Sequence, residues 1–232
     1  MKTIICAGPP SSGKTTVLKQ AAKRLKEKKL KLAYLKIDVQ FTEEDEIFRR
    51  EFGIPAKKVY SGEICPDHCN VMVLGDAVKW AEELGSDILF VETAGLCLRC
   101  SPYMEGSLGI AVLEATSGMN LPRKIGPLLS LADVVMITKI DMVSQAEREV
   151  FRANVALSAK AHIIETDALH GINIDRLVKK IEAAPETKSP MFLRGNPPVG
   201  VCTICVGKKE IGWQQHFGVV RPLEGDMFYR GE

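Results

Sequence analysis

Nine residues near the start of the chain, Gly8-Pro9-Pro10-Ser11-Ser12-Gly13-Lys14-Thr15-Thr16, leave room for very few folds. The apolar run Thr3-Ile4-Ile5-Cys6-Ala7 precedes them, and Val17-Leu18-Lys19-Gln20-Ala21-Ala22 follows with the character of a helix. The pattern G-x-x-x-x-G-K-[ST] carries meaning only between a strand and a helix, and that context is present. Backbone N–H groups of Ser11 to Thr15 would then point into the loop and hold an oligophosphate, helped by the partial positive charge of the helix N-terminus. Lys14 is placed to reach the β- and γ-phosphates, and the Thr15 hydroxyl to bind Mg2+.

Beyond this loop, strands alternate with helices. Val17, Leu18, Ala21, Ala22 and Leu25 share one face of a helix expected over 14–28. Strands are expected at 32–37, 57–60, 87–92, 108–115, 133–138 and 161–166, and helices over 42–52, 71–84, 122–131, 145–157 and 174–183. Thr42-Glu43-Glu44-Asp45 reads as a helix cap, and 65–69 as a loop. Several of the strands are continuous apolar runs, as parallel strands covered on both faces are. The expected fold is α/β: a three-layer, mostly parallel P-loop sheet. Composition shifts at Pro185, so a nucleotide domain over 1–184 and a C-terminal extension over 185–232 are expected. The extension holds Cys202-Thr203-Ile204-Cys205 and short β-like pieces at 211–213 and 217–220. It is too small to bury a core alone, so it packs on the main domain or is held by metal.

Of 232 residues, 46% are hydrophobic and 26% charged, with a net charge of +2. That near-neutral balance gives no case for nucleic acid or an anionic membrane as partner. No apolar run approaches the ~18 residues of a bilayer span. The phosphate loop begins at residue 8, which leaves no space before it for a secretion signal, and a cytoplasmic chain is expected.

Polar residues at the C-terminal ends of strands extend the nucleotide site, because open α/β sheets bind ligands there. Asp38 would bind Mg2+ through water or orient the attacking water, and Glu92 would place a second carboxylate near the ion. Gly95, in Glu92-Thr93-Ala94-Gly95, would offer its N–H to the γ-phosphate. Thr138-Lys139-Ile140-Asp141 has the pattern that reads guanine: the Asp141 carboxylate accepts from the N1 and N2 protons, a donor pair that adenine lacks. The Lys139 stem would lie along the base. Thr166, Asp167 and Ala168 are placed to close over the base, or form a plain turn.

Six of the seven cysteines come in close pairs, Cys65/Cys69, Cys97/Cys100 and Cys202/Cys205, and Cys6 stands alone as a small buried hydrophobe. The two C-x-x-C pairs together would supply four thiolates, a set that suits tetrahedral Zn2+ or an iron–sulfur cluster. His216 is a candidate partner of the tail pair. Cys65, His68 and Cys69 form a second group suited to Ni2+, Zn2+ or a site shared across a dimer. Buried unliganded thiols and a redox dithiol are the alternatives. His162 reads as a core residue of its strand, His170 as part of a turn, and Trp80 and Trp213 as packing.

The phosphate loop, Asp38 followed by Asp45, Gly62-Glu63-Ile64-Cys65-Pro66-Asp67-His68, the Glu92–Gly95 turn, Thr116-Ser117-Gly118 with Pro122 and Lys124, and Thr138–Asp141 share one pattern. Over about the first 184 residues it resembles the GTPases of hydrogenase and urease maturation, the nickel-inserting metallochaperones. The resemblance implies a GTP-dependent homodimer that hands a metal to a client metalloenzyme or its maturation factors. It places family metal ligands at Cys65 and His68, and a further family cysteine at Cys100. Cys69, Cys97 and the Cys202–Cys205 tail depart from the family pattern. Two rivals stand beside this reading. An iron–sulfur reductive activator, like the nitrogenase iron protein, needs a further Lys early in the loop, where this chain has Pro9 and Pro10. A nucleotide-gated scaffold would bind without hydrolysing.

Overall fold

The computed structural model describes residues 1–39, 42–61, 66–94, 101–195, 208–212, 220–222 and 227–231. Seven parallel strands form the body of one sheet: β1 (Lys2–Ala7), β2 (Leu32–Asp38), β3 (Ala56–Tyr60), β4 (Ile88–Thr93), β5 (Leu108–Glu114), β6 (Val134–Thr138) and β7 (His162–Glu165). Two more, β8 (Val220–Pro222) and β9 (Met227–Gly231), extend it, so that the order is β7-β6-β5-β1-β4-β2-β3-β9-β8. Strand β9 runs parallel to β3, and β8 is antiparallel to β9. The expected parallel α/β architecture is therefore observed, whereas no strand was expected at 227–231. That pairing is long-range, although Phe228 and Tyr229 are residue types that favour strands.

Helices cover both faces. On one lie α1 (Lys14–Glu27), α2 (Glu44–Phe52) and α7 (Ile174–Glu182); on the other lie α3 (Pro66–Glu83), α5 (Gly126–Ser130) and α6 (Gln145–Ser158). Alternation along each strand feeds two separate cores. Ile4 and Cys6 of β1 pack with Val17, Leu18, Phe48 and Leu177, while Ile5 and Ala7 pack with Val73, Leu129 and Phe151. Cys6 is fully buried, as expected, and burial followed by the charge of Glu92 pushes its thiol far above the ordinary range. Phe48 stacks on Tyr34 of β2 at 3.8 Å between ring centroids, and its full burial contributes about 2–3 kcal/mol. Trp80 packs beneath the Lys57 ammonium, 5.5 Å from its ring centroid.

Four local expectations are corrected. Helix α3 starts at Pro66, five residues before the expected start, because Pro suits the first turn and Asp67 complements the helix dipole there; 66–69 is helix, not loop. The expected helix over 122–131 is two, α4 (Leu121–Lys124) and α5, broken at Ile125 ahead of Gly126-Pro127. The cap of α2 is Glu43 with no side-chain cap bond, rather than Thr42. His162 is exposed, because β7 is an edge strand whose start is not covered. A capping box that was not anticipated, Ser144 with Glu147, starts α6.

Candidate functional site

Strand β1 lies between β4 and β5, so the connection leaving its C-terminal end falls at the point where the sheet reverses direction of winding. The loop there is held in an unusual backbone. Ser11 has φ 59° and Gly13 has φ 89°, which turn successive N–H groups inward ahead of α1. Gly8 has no space for a side chain: a Cβ would lie 2.1 Å from the Val112 carbonyl oxygen of β5. The Thr138 hydroxyl donates to the Ser12 carbonyl at 2.7 Å and ties the loop to the end of β6. Gly8→Ala should therefore push the loop off β5 and lower nucleotide affinity by at least ~10^2-fold, the effect of about 3 kcal/mol, read by titration with a fluorescent nucleotide.

Lys14 is buried, and its ammonium donates to the Gly8 and Pro9 carbonyls, each at 3.0 Å. Burial, reinforced by the charge of Lys36 and opposed by Glu92, lowers its pKa. Thr15 Oγ1 donates to Glu92 Oε1 at 2.8 Å, so the phosphate loop and the end of β4 are joined. A cleft of about 600 Å³ opens over these groups, lined also by Pro10, Ser11, Thr16, Asp38, Val39, Thr42, Glu44 and Ala94. Its lining includes oxygen donors from Thr15, Asp38 and Glu92, the hard chemistry that Mg2+ takes. One buried oxygen of the lining, Glu44 Oε2, has no protein partner among the described residues.

Two contributors were missed in the sequence reading. Lys36, 4% exposed on β2, stands in register with Glu92 and donates to its Oε1 at 2.7 Å. Its ammonium also lies 3.4 Å from Asp38 and 3.8 Å from Glu44. Burial alone would lower its pKa, but the charge and hydrogen bond of Glu92, with Glu44 and Asp38 behind them, raise it above the ordinary lysine value. Tyr34 OH donates to the other Glu92 oxygen at 2.9 Å. The signal was present in 32–37: a lysine inside an apolar strand must find a carboxylate.

A second recess, about 220 Å³, adjoins the first beyond Gly13 and Thr16 and is lined by Thr138, Lys139, Asp141, Met142, Asp167, Ala168 and Leu169. Lys139 adopts φ 55°, and the following 3-10 turn Ile140–Met142 carries Asp141. Its ammonium pairs with Glu114 at the end of β5. Asp167 is tied to His170, and its hydrogen bond raises the His170 pKa. Thr166 turns its hydroxyl to the Ile172 carbonyl at 2.6 Å and does not line the recess.

Of the sulfur and histidine candidates, His68 and Cys69 are buried on the first turn of α3, with Cys69 among the apolar side chains of the core. Cys65, Gly95, Cys97, Cys100, Cys202, Cys205, Trp213 and His216 lie outside the described residues. Among the described residues no group of three or more His, Cys, Asp or Glu side chains is arranged to hold a metal ion by itself. No described helix is long and apolar enough to cross a membrane.

The strand–loop–helix at β1, the carboxylates ending β2 and β4, and the recess beside β6 define a P-loop nucleotide-binding domain of the GTPase type. Residues 2–165 match the family model described as CobW/HypB/UreG, nucleotide-binding domain, and the chain belongs to that family. It is 43% identical over the whole of both chains to the uncharacterized protein MJ0120 of Methanocaldococcus jannaschii. It is 30% identical to the hydrogenase maturation factor HypB of Azotobacter chroococcum, over 61% of this chain and 45% of that one, so it spans under half of that relative. HypB structures share the fold. That of Archaeoglobus fulgidus superposes with a TM-score of 0.63 at 22% identity, over 79% of this chain and 89% of that one. That of Helicobacter pylori, in complex with nickel, gives 0.59 at 23%, over 82% and 91%.

Proposed function

We propose that this chain hydrolyses GTP and uses the state of its nucleotide to govern the transfer of a thiophilic metal, Ni2+ or Zn2+, to a client metalloenzyme or its maturation factors. One observation carries the reading. Glu92, bonded to Thr15 of the phosphate loop, stands in β4 and precedes Gly95, Cys97 and Cys100 by only a few residues of sequence. A change at the γ-phosphate end of the cleft would thus be felt by the segment bearing two thiols. Support comes also from the relatives: HypB is a hydrogenase maturation factor, and one HypB structure holds nickel.

In this reading Lys14 and the loop N–H groups hold the phosphates, and Asp141 selects guanine. Mg2+ would be held by Thr15, with Asp38 and Glu92 around it, and would neutralise charge on the β- and γ-phosphates. Asp38 would orient water for attack. Asp167 and Ala168 close the base recess, with Lys139 along its side. The cargo metal would be taken by Cys65, His68, Cys97 and Cys100, with Cys69, Cys202 and Cys205 as further ligands, at the interface of a cytoplasmic homodimer. The C-terminal extension over 185–232 would serve that site. An iron–sulfur cluster is the alternative occupant of the thiols.

The test is linkage. Ni2+ and Zn2+ affinities should differ by about 5- to 100-fold between the complexes with a non-hydrolysable GTP analogue and with GDP. Equal affinities in the two complexes would remove the coupling on which the reading depends.

A further inference from the structure

The cleft contains a buried cation that does not face the phosphate loop. Lys14 already faces the phosphate loop. Lys36 is a second buried ammonium, and it faces the carboxylates instead. Its closest partner, Glu92 Oε1, is the same oxygen that accepts from Thr15. A magnesium ion bonded directly to that oxygen, at about 2.1 Å, would lie no more than about 4.8 Å from the Lys36 nitrogen as it now stands. A divalent and a monovalent cation that close, in a buried site, repel strongly. They would also compete for one oxygen. The strand holding Lys36 is fixed between β3 and β4, so only the side chain has freedom to yield.

We propose that Lys36 is the resident cation of the magnesium subsite. It holds Glu92, with Asp38 and Glu44 farther off, where a divalent ion on Glu92 would sit, and gives way only to an ion delivered with a nucleotide, whose phosphates take up its ammonium. The chemistry of exchange explains the condition. Free Mg2+ offers Lys36 nothing in return for Glu92, and leaves its ammonium only the more distant Asp38 and Glu44. Mg2+ on a nucleoside di- or triphosphate brings anionic oxygens within reach of a four-carbon stem. Ion and nucleotide would therefore bind together. The inference rests on reading the cleft as a magnesium–nucleotide site.

The experiment is a Mn2+ titration followed by electron paramagnetic resonance on the full chain, in wild type, Lys36→Gln and Lys36→Arg, each with and without GDP. Wild type should bind Mn2+ with GDP and at least ~10-fold more weakly without it. Lys36→Gln removes the ammonium that competes for Glu92 Oε1 and should gain at least ~10-fold in Mn2+ affinity without nucleotide. Lys36→Arg keeps the charge and should behave as wild type. Lost packing alone would not create a new Mn2+ signal. The proposal is overturned if wild type takes up Mn2+ equally with and without GDP, or if Lys36→Gln folds and gains nothing. Should Lys36→Gln fail to fold, the wild-type comparison decides. Wild type that binds no nucleotide at all would overturn the functional reading and this proposal together. Nucleotide binding with Mn2+ uptake independent of it would overturn this proposal alone.

Discussion

Replacing Glu92 by Gln should destabilise the protein by about 3 kcal/mol, because it leaves the buried Lys36 ammonium without its nearest counter-charge. For a chain of this length that corresponds to a melting temperature lower by roughly 6–12 °C. The neutral amide keeps the shape of the side chain, so the loss reports charge rather than a cavity. Asp38 and Glu44 remain near Lys36 and limit the cost. The double variant Lys36→Met/Glu92→Gln removes both charges and should lose less than the two single variants summed, since each single change strands a charge that the other removes. Strict additivity by calorimetry would mean that the pair is not an energetic unit. On the proposed GTPase reading, Glu92→Gln also takes an anionic acceptor from the Thr15 hydroxyl, and GTP hydrolysis should fall by at least ~10^2-fold.

Asp141→Asn should exchange the base that the second recess accepts. Guanine presents two N–H donors to a carboxylate, whereas an Asn amide offers one acceptor and one donor. The variant should lose GTP affinity by on the order of 10^3-fold or more, because a buried polar edge is left mispaired. It should gain affinity for xanthosine triphosphate, whose edge presents one N–H and one carbonyl. Competition binding with the two nucleotides measures both changes. A variant that still prefers GTP would show that the base is read by something other than Asp141. The Thr138 hydroxyl, engaged with the Ser12 and Leu113 carbonyls, ties the phosphate loop to the strands beside this recess.

How much of this was legible beforehand depended on the range of the interactions. The phosphate loop was legible because its residues are contiguous and their backbone needs are local. The same holds for the apolar runs of β4 and β6 and for the turn carrying Asp141. Expectations failed where a partner far along the chain decides the outcome. His162 sits in a strand of apolar neighbours, yet the strand is an edge, and edge position belongs to the sheet. Met227–Gly231 became a strand because β3 presented an open edge to it.

By itself the sequence settled the class of fold, the phosphate loop and the acids at the strand ends, since short motifs and hydrophobic periodicity encode these within a few residues. Only the tertiary structure decided what those acids hold. Parallel register sets Lys36 opposite Glu92, fifty-six residues away, and α1 brings Thr15 to the same oxygen. Cross-strand register is a property of the assembled sheet, and a buried charge finds its partner only when the sheet has formed.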